Sequence, residues 1–113
     1  FNEMKQIAKI YESKYQVEIS FEFLQKNIAP KPTSSDHPLV ISFSKAIEKT
    51  RNFKPKLVGI GGGTCAAILR KAGLPAIVWA TIEETAHQPN ENCTIEYILN
   101  DAITYAYFLA TVE

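Results

Sequence analysis

Hydrophobic and polar positions change rhythm several times along this chain. Met4, Ile7, Ala8, Tyr11 and Tyr15 recur three or four residues apart, with Lys5, Lys9, Glu12 and Lys14 between them. That spacing predicts an amphipathic opening helix. The rhythm then becomes strict alternation in VEISFEFL, where Glu18, Ser20 and Glu22 separate Val17, Ile19, Phe21 and Phe23. Alternation predicts a strand buried on one face, as in an antiparallel sheet covered on one side by helices. One helix and one strand cannot enclose a core, so this unit needs strands from elsewhere in the chain or from a partner.

APKPTSSDHP follows, rich in proline and turn formers, and reads as a linker. Its end starts a helix: Ser35 or Asp36 can cap free backbone N–H groups, and Pro38 is tolerated in the first turn. Leu39, Val40, Phe43, Ala46 and Ile47 form that helix's apolar stripe. KLVGI and AIVWA are apolar throughout, as expected of strands covered on both faces by helices. Between them, GGGTCAAILRKAGLP holds a helix over Ala66–Lys71, stopped by Gly73-Leu74-Pro75. From Thr94 onward, Ile95, Ile98, Leu99, Ala102, Ala106 and Leu109 predict a C-terminal helix packed on the sheet. The pattern is βαβα with a mixed or parallel sheet, so the expected fold class is α/β. Residues 1–28 make a first unit, 29–37 a linker and 38–113 a second unit.

Composition narrows the function. A chain of 113 residues with 46% hydrophobic content suits one domain with an ordinary core. Lys+Arg and Asp+Glu both number 12, so the basic excess that nucleic acid selects for is lacking. No apolar run is long enough to cross a bilayer, and the charged N-terminal segment is no signal peptide. Cys65 and Cys93 make no metal-type spacing and suggest no oxidising compartment. Asn92-Cys93-Thr94 fits a glycosylation acceptor pattern, which carries no weight without a signal peptide. The expected setting is the cytosol, with no nucleic-acid or membrane partner. The start at Phe1, with a single methionine at position 4, suggests a piece of a longer protein.

Two places could carry chemistry. Gly59-Ile60-Gly61-Gly62-Gly63-Thr64 departs from the dinucleotide fingerprint, which wants glycine or alanine where Thr64 stands. The lysine of a nucleotide triphosphate loop is also missing. Glycines before a helix still let backbone approach a carboxylate or phosphate, although a tight packed turn without ligand explains them too. The second place is His87 in ETAHQPNEN, a short loop after AIVWA and therefore near the carboxyl edge of the expected sheet, where ligands bind. A metal ligand and an idle loop histidine both fit; Glu83 and Glu84 nearby can simply be solvated. His37 reads as a solvated loop histidine. Cys65 reads as a small helix residue, because no histidine is placed to activate it.

VGIGGGTCAAILRKAGLPAIVWATIEETAHQPNENCTIEYILNDAITYA resembles the end of the catalytic domain in the di-zinc amidohydrolases and exopeptidases. That family includes succinyl-diaminopimelate desuccinylases, acetylornithine deacetylases, aminoacylases and carboxypeptidases, and the likeness is strongest to the desuccinylases. It covers nearly the whole chain. On this resemblance residues 1–28 are the last α–β unit of a ferredoxin-like lid or dimerisation domain, and APKPT is the return crossing. Residues 38–113 are then the C-terminal part of the zinc-exopeptidase-type catalytic domain.

Carried over to this sequence, the resemblance makes His87 the histidine of a His-x-x-Asn-Glu motif, ligating one of two zinc ions, with cobalt as a substitute. Gly62, Gly63 and Thr64 match a Gly-Gly-Thr turn that helps hold the substrate's carboxylate end. Asn90 and Glu91 orient the loop and start the last helix. After Thr64 the chain departs from many relatives, with Cys65, Ala66 and Ala67 where Ser-Asp is common. That puts charge pairing of the substrate from this helix in doubt unless Arg70 reaches round. The rest of such a centre is not recognised: a His-x-Asp pair, a bridging aspartate and a Glu-Glu pair holding the general base. No catalytic residue is therefore expected in this chain, which alone should be inactive. The parent is expected to be a zinc hydrolase cleaving an N-acyl amino acid. A dipeptidase or carboxypeptidase of the same architecture, or a non-catalytic α/β binding module, is the alternative. A homodimer, or self-association through the N-terminal α–β unit, is the expected assembly.

Overall fold

Local signals in the sequence set the four helices of the computed structural model, which describes residues 1–59 and 63–112. Helix α1 spans Asn2–Tyr15 and ends at Gln16 in the left-handed conformation, φ 54°. Helix α2 spans Pro38–Arg51, with Pro38 in the first turn, where its missing N–H costs nothing. Its cap is His37, whose Nδ1 accepts from the Leu39 N–H at 3.1 Å. The reading of His37 as a solvated loop residue is thus corrected: it takes the role expected of Ser35 or Asp36. Helix α3 spans Cys65–Lys71. It closes in a Schellman motif: the Gly73 N–H donates to Arg70 O and the Leu74 N–H to Leu69 O, both at 3.0 Å. Gly73 sits at φ +82°, where a Cβ is costly, which is why glycine ends this helix. Helix α4 spans Ile95–Thr111, and the Thr94 hydroxyl caps it by accepting from the Tyr97 N–H at 3.2 Å.

No strand occurs among the described residues, so the expected α/β class is corrected to a helical one. The runs read as strands are present without ladders. A ladder requires a second strand about 4.8 Å away, and a run of apolar residues shows what a segment wants to bury, not that its neighbour is there. Side chains take up part of the AIVWA backbone instead, at Ala76 and Trp79. The Thr33 hydroxyl donates to Ala76 O at 2.7 Å and accepts from the Ala76 N–H at 3.0 Å, while the Tyr105 hydroxyl donates to Trp79 O at 2.7 Å. Val17–Leu24 forms no α–β unit with α1. It is tied there by the Ile19 N–H donating to Glu12 Oε1 at 2.8 Å and by apolar contact, with Ile19 and Phe21 lying over Met4, Ile7 and Tyr11 and the Phe1 ring against Phe21 and Phe23. The described part of KLVGI, Lys56–Gly59, is exposed except for what precedes it at Pro55.

The core is the α2–α4 pair. Val40, Phe43, Ala46 and Ile47 are buried on α2, as their spacing predicts. Phe43 centres an aromatic cluster, 5.6 Å from Trp79 and 5.2 Å from both Tyr105 and Phe108, in the edge and tilted geometries that rings prefer. Helix α4 meets α2 through Thr104 and Phe108. The face expected to be buried, Ile95, Ile98, Leu99 and Leu109, is the exposed one. The whole measures 65 × 36 × 23 Å with a radius of gyration of 20.7 Å, against about 13 Å for a compact domain of this length. Its accessible surface, 9722 Å², likewise exceeds the roughly 6,200 Å² of a compact protein of this mass. Much apolar surface is open. No helix among the described residues is long and apolar enough to cross a membrane.

Candidate metal-ligand loop

The site is built outward from Asp101 on α4. Its carboxylate accepts from the Thr81 N–H at 2.8 Å, the Thr81 hydroxyl at 2.6 Å and Arg51 Nη1 at 3.2 Å. Arg51 sits in the last turn of α2, where a cation suits the helix dipole, and lies over the Trp79 ring at 5.9 Å. Both charged side chains are mostly buried, at 17% and 16% exposure. Beside them the Tyr105 hydroxyl is held above its ordinary pKa, first by burial and then by the Asp101 charge.

From Thr81 the chain enters the loop that carries His87. Two turns shape it, closed by the Gln88 N–H to Thr85 O at 3.0 Å and the Glu91 N–H to Gln88 O at 3.1 Å. His87 and Asn90 both lie in the left-handed region, at φ 62° and 64°. Histidine and asparagine are among the few residues enriched there, and Gln16 and Asn52 adopt the same region where α1 and α2 end. The Glu91 carboxylate accepts from the His87 N–H at 3.1 Å, which offsets part of the backbone cost. Gln88 Nε2 donates to Glu84 O and Asn92 Nδ2 to Asn90 O, each at 2.8 Å. The His87 side chain is exposed, and its imidazole makes no hydrogen bond among the described residues. Below the loop opens a groove of about 450 Å³ lined by Thr81, Glu83, Glu91, Cys93, Ile98 and Asp101 among others.

Of the other residues singled out from sequence, Gly62 lies outside the described residues. Gly63 is exposed, and a Cβ added there would meet nothing within 4 Å. Thr64 precedes α3 without using its hydroxyl as a cap. Among the described residues no hydrogen bond joins this turn to the His87 loop. Arg70 Nη1 donates to Ala76 O at 3.1 Å. Cys65 and Cys93 are free and exposed.

The chain matches Peptidase family M20/M25/M40 over residues 5–111. It belongs to that family. An uncharacterised metallohydrolase of Methanocaldococcus jannaschii is 41% identical over 100 residues, covering 88% of this chain and 24% of that protein. A Bacillus subtilis protein provisionally named a dipeptidase is 34% identical over 104 residues, 92% of this chain and 22% of its own. A succinyl-diaminopimelate desuccinylase of a Sulfurovum species is 29% identical over 75 residues, 66% of this chain and 20% of its own. The chain thus spans less than a quarter of these relatives' lengths. No solved structure matches it.

A metal ion is implied by membership in the M20/M25/M40 family and by the metallohydrolase relative. Among the described residues no three His, Cys, Asp or Glu side chains converge on a point where an ion could sit. The donor that is present fits the role of a single ligand: an exposed imidazole, unspent on hydrogen bonds among the described residues, on a loop closed by two turns. Sequence reasoning missed Asp101, Thr81 and Arg51. The signal was there, since Asn100-Asp101 stands in the middle of a largely apolar helix, and a charge at such a place has a partner.

Proposed function

We propose that this chain is part of a zinc hydrolase that cleaves the amide bond of an N-acyl amino acid, as a desuccinylase does. The observation that carries the reading is His87 itself. It is held in the left-handed conformation by Glu91 with its imidazole free, in a chain of a metallopeptidase family. In this reading His87 holds one zinc ion of a pair through a neutral ring nitrogen. A bound zinc ion supplies Lewis-acid polarisation of the scissile carbonyl. Glu91 fixes the loop backbone so that the ring presents to one side. Gly62, Gly63 and Thr64 receive the carboxylate end of the substrate: open space at Gly63 lets an anion approach the backbone, and the Thr64 hydroxyl is available to donate. The residue that takes the proton is outside the matched machinery of this chain.

A second reading is a dipeptidase of the same family. The relative bearing that name is more similar, over more of this chain, than the desuccinylase is.

The test uses the full-length protein carrying this segment. Metal analysis should find zinc, and His87→Ala should lower zinc content and hydrolysis of N-acyl amino acids by at least tenfold. Turnover of N-succinyl amino acids against unmodified dipeptides separates the two readings. Wild-type zinc content in His87→Ala defeats the ligand assignment, and absence of both zinc and hydrolysis in the wild type leaves a non-catalytic module. The 113-residue chain alone is expected to hydrolyse neither substrate with zinc or cobalt added.

A further inference from the structure

Both ends of the His87 loop stand on helix α4. The exit is Thr94, the residue that caps it. The entry is Thr81, bound through its N–H and hydroxyl to Asp101. The two footholds are seven residues apart on one helix, or roughly 10 Å at 1.5 Å per residue. A loop tied at both ends to one rigid rod has little freedom to shift its middle, and His87 is in the middle. The rod is itself fixed: one turn beyond Asp101, Thr104 is fully buried against α2, and the Thr104 and Thr50 hydroxyls lie 2.8 Å apart.

Asp101 lines the groove under the loop, so it could instead be thought to bind a ligand. Most of its acceptor capacity is already used within the protein. Oδ1 takes the Thr81 hydroxyl and Arg51, and Oδ2 takes the Thr81 N–H. Three donors, one from α2 and two from the loop entry, hold this carboxylate.

We infer that Asp101 is the positioning residue of the His87 loop, setting through Thr81 where the His87 imidazole stands. The inference rests on the reading of His87 as a metal ligand. An amide at 101 keeps one acceptor oxygen but turns an NH2 group toward donors, so the entry must move. Loss of the Thr81 hydroxyl alone is milder and leaves the backbone bond in place.

The experiment compares Asp101→Asn, Thr81→Val and Thr81→Ser in the full-length protein, with His87→Ala as reference. Zinc affinity is read by competition with a chelator, and ligand geometry by the visible absorption of the cobalt-substituted protein. Asp101→Asn should weaken zinc binding about tenfold and Thr81→Val by a smaller factor, and both should alter the cobalt spectrum. Thr81→Ser, which retains the hydroxyl, should restore both. Should Asp101→Asn fail to fold, the Thr81→Val and Thr81→Ser pair decides. A lowered melting temperature with wild-type zinc affinity and cobalt spectrum would show a merely structural role and overturn the inference. If His87→Ala binds zinc as the wild type does, the underlying ligand assignment fails instead, and the inference falls with it.

Discussion

The hydroxyls of Thr50 and Thr104 meet at 2.8 Å across the α2–α4 interface. Each also lies near the carbonyl four residues back on its own helix, Ala46 O at 2.8 Å and Asn100 O at 3.1 Å. Two protons therefore serve three contacts, and the pair works as a unit. Thr104→Val should destabilise the protein by about 1–3 kcal/mol, since it removes a buried partner and leaves the Thr50 hydroxyl less satisfied. Replacing both by valine should cost less than the sum of the single changes. Urea unfolding of the two single variants and the double variant checks this; full additivity would show that the hydroxyls are independent.

Gly73 offers a backbone test. Its φ of +82° makes Gly73→Ala unfavourable although a Cβ there would touch nothing within 4 Å. The expected loss is about 1–2 kcal/mol, from conformation alone. Gly63→Ala meets the same open space without a positive φ and should be near neutral in stability. Comparing the two melting temperatures separates strain from crowding.

Tyr105 makes stability sensitive to alkali. Its pKa is raised in the folded protein by burial and by Asp101, so the neutral phenol is favoured there. The contribution is fully present below the unfolded value near 10 and is lost as pH rises through the higher folded value. Tyr105→Phe should flatten this part of the alkaline unfolding profile and also lose the hydrogen bond to Trp79 O. An unchanged profile above pH 10 would show that other groups govern it.

The N-terminal segment is expected to associate. Ile7, Tyr11, Ile19 and Phe21 are all well exposed on one side of α1 and the segment after it. We propose that they pair with a second copy, since burying such side chains is worth roughly 1.5–3 kcal/mol each. Light scattering of the chain at high micromolar concentration should show dimers or larger species, and Ile19→Lys with Phe21→Lys should shift them toward monomer. A monomeric wild-type chain refutes the proposal.

The helices are legible in the sequence because α1 shows helical spacing and the other three carry their own punctuation. Pro38 opens α2, Gly73 closes α3, Thr94 caps α4, and the α2 stripe from Val40 to Ile47 lies at helical spacing. Those signals act over a few residues. Strands are different, because a ladder depends on a partner far away in sequence, and Val78 or Phe21 in an apolar run cannot report whether that partner is near. The buried face of α4 differs from the expected one for a related reason. Ile98 and Leu99 mark surface that favours burial, whereas the contact made here runs through Thr104, whose role shows only beside Thr50. His87 stands out in sequence by its motif, but Asp101, on the helix that follows, acquires meaning only when Thr81 and Arg51 are brought to it.

The Thr50–Thr104 contact closes a loop between residues 54 positions apart in sequence. Chain closure of this length is an entropic cost that grows only with the logarithm of length. Ten extra residues add about 0.15 kcal/mol, and a full doubling about 0.6 kcal/mol. The stretch between the paired helices is therefore a tolerant place for insertions during divergence, above all around Phe53–Lys56, which is mostly exposed. The same latitude stops at Thr81. From there to Thr94 both ends are tied to one helix, so an added residue would be felt at His87, and length variation among relatives should fall off sharply at that point.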